Sequence, residues 1–198
     1  MTTEILLGIC LGLGLAAACG FRVFVPLFVM SLAARAGYLE LANGFEWLDS
    51  GAALFALGAA TLFEAGAYYI PWIDNLLDTV ATPAAVVAGL VATAASVADA
   101  DPLIQWSAAI IGGAGVAGIV QTSSVVTRSA SSLTTGGLGN PLVSTGELLS
   151  ATVMSVVSVF LPIASGLIVL LLVLVAIMFL TRRRRPRSTM PRDSAIHS

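Results

Sequence analysis

Arg22, Arg35 and Arg128 are the only basic side chains in the first 181 positions, and Arg22 has apolar sequence on both sides. A central Asp, Lys or Arg in a membrane helix costs about 2.5–3.5 kcal/mol on insertion scales, so such a residue needs an answering group. A guanidinium presents a rigid fork of donors. Arg22 therefore reads either as a contact for an anion or lipid headgroup, or as half of a structural ion pair. Glu64 follows Ala52, Ala56 and Ala60 at a strict four-residue spacing. That places it on a small-residue face, which should meet another helix. Its carboxylate can relay protons, bind a cation, or pair with Arg22 or Arg128.

Two further groups carry potential chemistry. Asp74 and Asp78 share a face with Pro71 at i, i+3/i+4 spacing, opposite Ile73, Leu76, Leu77 and Val80. The pattern fits an interfacial helix with Trp72 at headgroup level, or a carboxylate pair for a metal, protons or a cationic substrate, although two acids without His or Cys are a weak metal signal. Ala117, Gln121, Ser124 and Arg128 fall at helical spacing and form one polar face. Thr134-Thr135-Gly136-Gly137-Leu138-Gly139-Asn140-Pro141 follows, then Ser144 and Glu147. Ser144 and Glu147 have capping-box spacing, which predicts a helix restarting at Ser144. The Gly/Asn/Pro stretch reads either as a polar cytoplasmic loop or as a re-entrant break lining a cavity.

Other chemistries find no support. The glycines lack the Lys-Ser/Thr of a Walker loop. The single histidine, His197, lies second from the end, so no serine has a visible activating base. There is no CxxC or histidine-rich metal motif, and no cofactor is implied. The expectation is a non-enzyme; an intramembrane lipid-modifying enzyme ranks last, because no acid/base or nucleophile pair stands out. Cys10 and Cys19 sit in the first apolar segment and imply no disulfide framework. The Ala16-Ala17-Ala18-Cys19 run lacks a positive n-region, so a lipoprotein cleavage is rejected.

These residues must be held by membrane helices. Of 198 residues, 58% are hydrophobic and only 10% charged, with a mean hydropathy of +0.97. Soluble domains carry roughly 25% charged residues, and a chain this small cannot hide such an apolar excess in its core. Charge is sharply divided. From Arg182 onward there are six arginines and one acid, whereas the preceding body holds three arginines against ten acids. A basic cluster after an apolar span reads as a cytoplasmic stop-transfer flank able to touch anionic headgroups. No nucleic-acid partner is expected.

Six apolar segments are expected, at 5–34, 51–70, 81–98, 103–127, 148–161 and 164–181. The first exceeds the roughly 20 residues of one span, and Gly20 and Pro26 suggest a bend or a short second helix. Pro162 and Gly166 make the last two either a tight hairpin or one kinked helix. Six crossings with the arginines inside put both termini in the cytoplasm. Residues 1–181 then form the helical transmembrane domain and 182–198 a basic, disordered cytoplasmic tail. Gly8, Gly12, Ala16 and Gly20, like Ala114 and Gly118, repeat every four residues and should allow close helix contact.

Gly20-Phe21-Arg22-Val23-Phe24-Val25-Pro26-Leu27 with Ala34-Arg35-Ala36-Gly37, the Ile70–Asn75 and Thr82-Pro83 stretch, and the Thr134–Pro141 motif with Ser144 and Glu147 resemble the bacterial membrane family catalogued as domain of unknown function 4126. The resemblance spans nearly the whole chain outside the tail. It implies a multi-span protein and supplies no substrate. That family's pattern also carries a basic residue or histidine near Gln121 and an acid or lysine near Tyr69. This chain departs at both, which weakens a proton relay built there.

Arginines near the ends of two long segments also suggest an inverted repeat of three crossings per half. The leading functional expectation is a small transporter or channel-like protein in a cell (inner) membrane, acting on an anionic solute, ion or lipid headgroup. Its candidate residues are Arg22, Glu64, Asp74, Asp78, Gln121, Arg128, Thr135, Asn140 and Glu147. Membrane lipids, and a second copy of the chain, are the expected partners. The alternative is an accessory scaffold whose charges are internally paired.

Overall fold

The computed structural model describes residues 2–98 and 100–183, with the side chains of 71–76, 78, 176, 177 and 179–183 outside that description. The expectation for the tail beyond Arg183 therefore falls outside the described residues. Among the described residues all regular structure is helical. The helices are α1 (Thr2–Phe21), α2 (Phe24–Arg35), α3 (Gly51–Ala67), α4 (Pro71–Ser96), α5 (Pro102–Ser107), α6 (Gly115–Thr135), α7 (Asn140–Phe160) and α8 (Pro162–Arg183). A π-helical stretch, Ala108–Ala114, joins α5 to α6 in one 34-residue rod. Four rods are long and apolar enough to cross a membrane: Thr2–Phe21, Thr79–Ser96, Pro102–Thr135 and Asn140–Phe160. Phe55, Leu62, Leu133, Leu142, Val153 and Leu171 are among many exposed apolar side chains, which water would not tolerate in such number. This is a helical membrane bundle.

The central rod is α1, and its glycines set the packing. A Cβ on Gly8 would lie 2.6 Å from the Ser96 carbonyl, and one on Gly12 2.8 Å from Thr93 Cα, both on α4. One on Gly20 would lie 2.7 Å from the Ala117 carbonyl on α6. The expected small-residue row is thus used, because lipid offers no hydrophobic drive and close backbone approach must supply contact. Gly118, by contrast, would merely touch Val86 at 3.5 Å.

The same contacts give helix direction. Gly8 lies by Ser96 and Ala16 by Gly89, so α4 runs opposite to α1. Leu13 lies by Gly112 and Gly20 by Val120, so the α5–α6 rod runs with α1. Gly14 packs by Ser158 while Arg22 reaches Ser144, so α7 runs back. Cys10 meets Gly166, and Phe21 shares a groove with Val173, so α8 runs forward again.

Several expectations are corrected. Of the two readings left open for the segment 5–34, the short second helix is the one found, folded into a hairpin at Arg22-Val23: Tyr38, Leu39 and Glu40, just after α2, line a cleft with Glu4, Leu7 and Gly8. Because α8 runs in the same direction as α1, Thr2 and Arg183 lie at opposite ends of the bundle, unlike the placement of both ends on one side that six crossings imply. The acidic stretch 71–80 and the span 81–98 are one continuous helix. α7 starts at Asn140, with Pro141 in its first turn, so Ser144 caps nothing. Residues 136–139 are a short turn between α6 and α7, with Gly136 at φ 62° and Gly137 at φ 90° where a side chain would be strained. Of the two readings, this short turn fits the polar connection and not the re-entrant break. Leu161 separates α7 from α8, which settles the last pair as a hairpin.

Beyond the spans, Glu46 receives the Gly44 N–H at 2.8 Å. Its own backbone amide, and then that of Gly44, hold its carboxyl below the ordinary range. This support is present above the usual carboxylate pKa and is lost as pH falls through the depressed one.

Candidate buried charge cluster

Four elements meet where α1 turns into α2. Arg22 lies in that turn and is 2% exposed. Its Nη2 donates to the Ser144 carbonyl at 2.8 Å and to Ser144 Oγ at 2.5 Å, both on α7. One helical turn on, Glu147 places Oε2 3.5 Å from Arg22 Nη2 and 3.3 Å from Arg128 Nη2. Two guanidiniums thus share one carboxylate. Glu147 Oε1 accepts from Ser124 Oγ in a short hydrogen bond, and Ser124 Oγ in turn accepts from Arg128 at 3.3 Å. Ser124, Glu147 and Arg128 are all buried, as the α6 polar face predicts.

Tyr68 completes the cluster. The Arg22 guanidinium carbon lies 3.8 Å from its ring centroid and that of Arg128 4.3 Å. Both are within cation–π range, worth about 0.5–2 kcal/mol each as water is excluded. Arg22 Nε and Nη1 are buried and find no hydrogen-bond partner among the described residues. One arginine is therefore only half satisfied.

Glu64 enters from α3 with a different role from the one expected. It accepts the Val23 N–H at 2.7 Å and the Phe24 N–H at 3.0 Å. Those amides open α2, where the helix leaves donors unpaired and carries partial positive charge. Glu64 thus clamps the turn that aims Arg22, in place of a direct salt bridge. The stripe argument also misplaces it: Ala52 and Ala56 are exposed, and the buried face runs through Ala53, Leu57, Glu64 and Ala67. At 3.6 residues per turn a strict four-residue row drifts by about 40° per step, which leaves Ala52 roughly 120° from Glu64.

The cluster lies within the bilayer's reach. Val173 of α8 shares a groove with Phe21, next to Arg22. The apolar run of α8 continues to Leu180, about 10 Å further at 1.5 Å per residue. Against the cluster lies a crevice of about 230 Å³ between α6 and α7, lined by Ser123, Ser124, Thr127, Gly146, Glu147 and Ser150.

Of the sequence candidates, Arg22, Glu64, Arg128 and Glu147 converge. Gln121 lies deeper on the same α6 face, 1% exposed, its Nε2 without a partner among the described residues. Thr135 and Asn140 belong to the α6–α7 turn instead. Thr135 Oγ1 donates to the Ser131 carbonyl and accepts the Gly139 N–H, and Asn140 Nδ2 donates to Ser132 Oγ. The side chains of Asp74 and Asp78 lie outside the described residues. Tyr68 was missed, although it sits four residues after Glu64 and so shares its face. Among the described residues no group of His, Cys, Asp or Glu could hold a metal.

The family model described as a domain of unknown function (DUF4126) matches residues 9–182, so the chain belongs to that family. No curated protein and no solved structure matches it.

Proposed function

We propose that this protein is a small membrane transporter or channel-like protein in which Arg22 and Arg128 take the anionic group of a solute, ion or lipid headgroup. Glu147 is the internal anion that holds the two guanidiniums when no external one does. The observation that carries this reading is Arg22 itself: buried at membrane depth, it shares the Glu147 carboxylate with a second arginine and has two nitrogens without hydrogen-bond partners among the described residues. A group present purely for stability would be expected fully paired. The 230 Å³ crevice beside Glu147 supports access to the site.

In this reading the arginine-rich segment from Arg182 lies in the cytoplasm of a cell (inner) membrane. The end carrying Glu40, Glu46, Asp49 and Asp101 then faces the other side, with Thr2. An inverted repeat is not part of this reading: three helices follow α1 and two follow the α5–α6 rod, and the two rods run the same way where inverted copies would run oppositely.

A second reading, an accessory scaffold with paired charges, is favoured by one observation. Arg22, Arg128, Glu64 and Glu147 sum to zero charge. Flux of a panel of small anions into proteoliposomes separates the two readings. Transport is expected for wild type, with a loss of at least about tenfold in Arg22→Lys, which keeps charge but not the guanidinium fork. Absence of flux for every anion, with protein monodisperse and folded, counts against transport and for the scaffold.

A further inference from the structure

The route to the buried arginines has an apolar half. Through Phe21 and Ser123 the crevice beside Glu147 continues into a groove of about 110 Å³ between α1, α6 and α8, walled by Ala17, Val116, Val120, Val169 and Val173. α6 and α8 hardly touch each other, and Ile119 and Leu172, on the two sides of the groove, are exposed. The groove therefore opens sideways, where hydrocarbon chains of the bilayer lie against the bundle. A soluble anion gains nothing from such a wall, whereas an anion attached to a chain buries that chain there.

The polar half suits the anionic end. Glu147 turns no free oxygen into the crevice: Oε2 is buried between the two arginines, and Oε1 takes the Ser124 hydroxyl hydrogen. Behind that wall Arg22 still has two buried nitrogens without hydrogen-bond partners, and its charge is felt further in a medium of low dielectric than in water. Ser123 and Thr127 direct their hydrogens to carbonyls of their own helix, each at 2.9 Å. The exposed Ser150 hydroxyl, one turn beyond Glu147 on the crevice wall, is left to donate. A donor in front of a guanidinium favours a negative group.

We infer that the anion enters from the bilayer as an amphiphile, an alkyl chain ending in phosphate, with the chain in the α1/α6/α8 groove and the phosphate in the crevice on Ser150. This rests on the anion reading proposed above and adds that the anion arrives attached to a chain. The test uses the full chain in phosphatidylcholine nanodiscs, with empty discs as the blank for partition into the bilayer. Dodecyl phosphate, dodecyltrimethylammonium and inorganic phosphate are titrated separately. Burying about two methylenes already corresponds to a tenfold gain. Dodecyl phosphate is therefore expected to bind at least about tenfold more tightly than either of the other two. Ile119→Trp and Leu172→Trp, at exposed positions on opposite sides of the groove, should each cut it to the level of inorganic phosphate. Ser150→Ala should weaken both phosphates about tenfold, the scale of a hydrogen bond to a charged group, and Ser150→Thr should restore them. Inorganic phosphate binding with no advantage for dodecyl phosphate, or an advantage that survives both tryptophans, would overturn the amphiphile and leave the anion reading standing. Equal binding of the two amphiphiles would overturn it as well, and binding of neither phosphate would overturn both.

Discussion

Glu147→Ala is expected to lower the stability of the folded protein by about 3–5 kcal/mol, the cost of stripping a partner from buried charge. Arg22 and Arg128 are each 2% exposed. Both reach the same Oε2, at 3.5 and 3.3 Å. Neither can turn to water without moving a helix. Ser124 would also lose the acceptor of its hydroxyl hydrogen. Glu147→Gln keeps an acceptor for Ser124 and should fall between alanine and wild type. Adding Arg128→Met to Glu147→Ala removes one of the two stranded charges, so the double variant should recover part of the loss. Denaturant titration in mixed micelles checks this series. An alanine variant within about 0.5 kcal/mol of wild type would mean that the shared carboxylate holds nothing.

Glu64→Ala should open the α1–α2 turn. Two backbone amides, Val23 and Phe24, lose their acceptor, and hydrogen bonds to a charged group are worth about 1.5–3 kcal/mol each. A loss of about 3 kcal/mol in local opening free energy corresponds to over a hundredfold faster exchange. Amide exchange at Val23 and Phe24 is therefore expected to rise by about that factor, with α1 residues near Gly12 little affected. Glu64→Gln keeps one acceptor oxygen and should show a smaller rise. Uniform protection in Glu64→Ala would place the origin of the turn elsewhere. Because the clamp orients Arg22, its loss should also weaken whatever the arginine binds.

The helical membrane class was legible because apolar excess leaves little choice of solvent. The α6 face was legible too: Ala117, Gln121, Ser124 and Arg128 follow the helix period, and all four are buried. What local pattern could not reveal was the hairpin at Arg22-Val23. Gly20 and Pro26 drew attention to the region, yet the turn is held by a carboxylate 40 residues away. Gly20 instead serves the contact with α6. Ser144 shows the same failure. Its spacing to Glu147 mimics a capping box, but its oxygens are taken by Arg22, 122 residues earlier. The helix starts at Asn140 because Pro141 suits a first turn. Counting one apolar run as one pass then misplaced the first terminus. The Gly/Asn/Pro motif looked like a substrate site from composition alone, yet the polar groups at membrane depth come from four separate elements.

Inorganic phosphate binding to the purified protein, measured by calorimetry on wild type, Glu147→Gln and Arg22→Lys, probes the internal-anion idea most directly. If Glu147 competes with an external anion for two guanidiniums, Glu147→Gln should bind phosphate at least about tenfold more tightly than wild type, a difference of about 1.4 kcal/mol. Arg22→Lys should weaken it. Phosphate affinity that is unchanged by both substitutions, or undetectable in Glu147→Gln at millimolar concentration, would contradict that account.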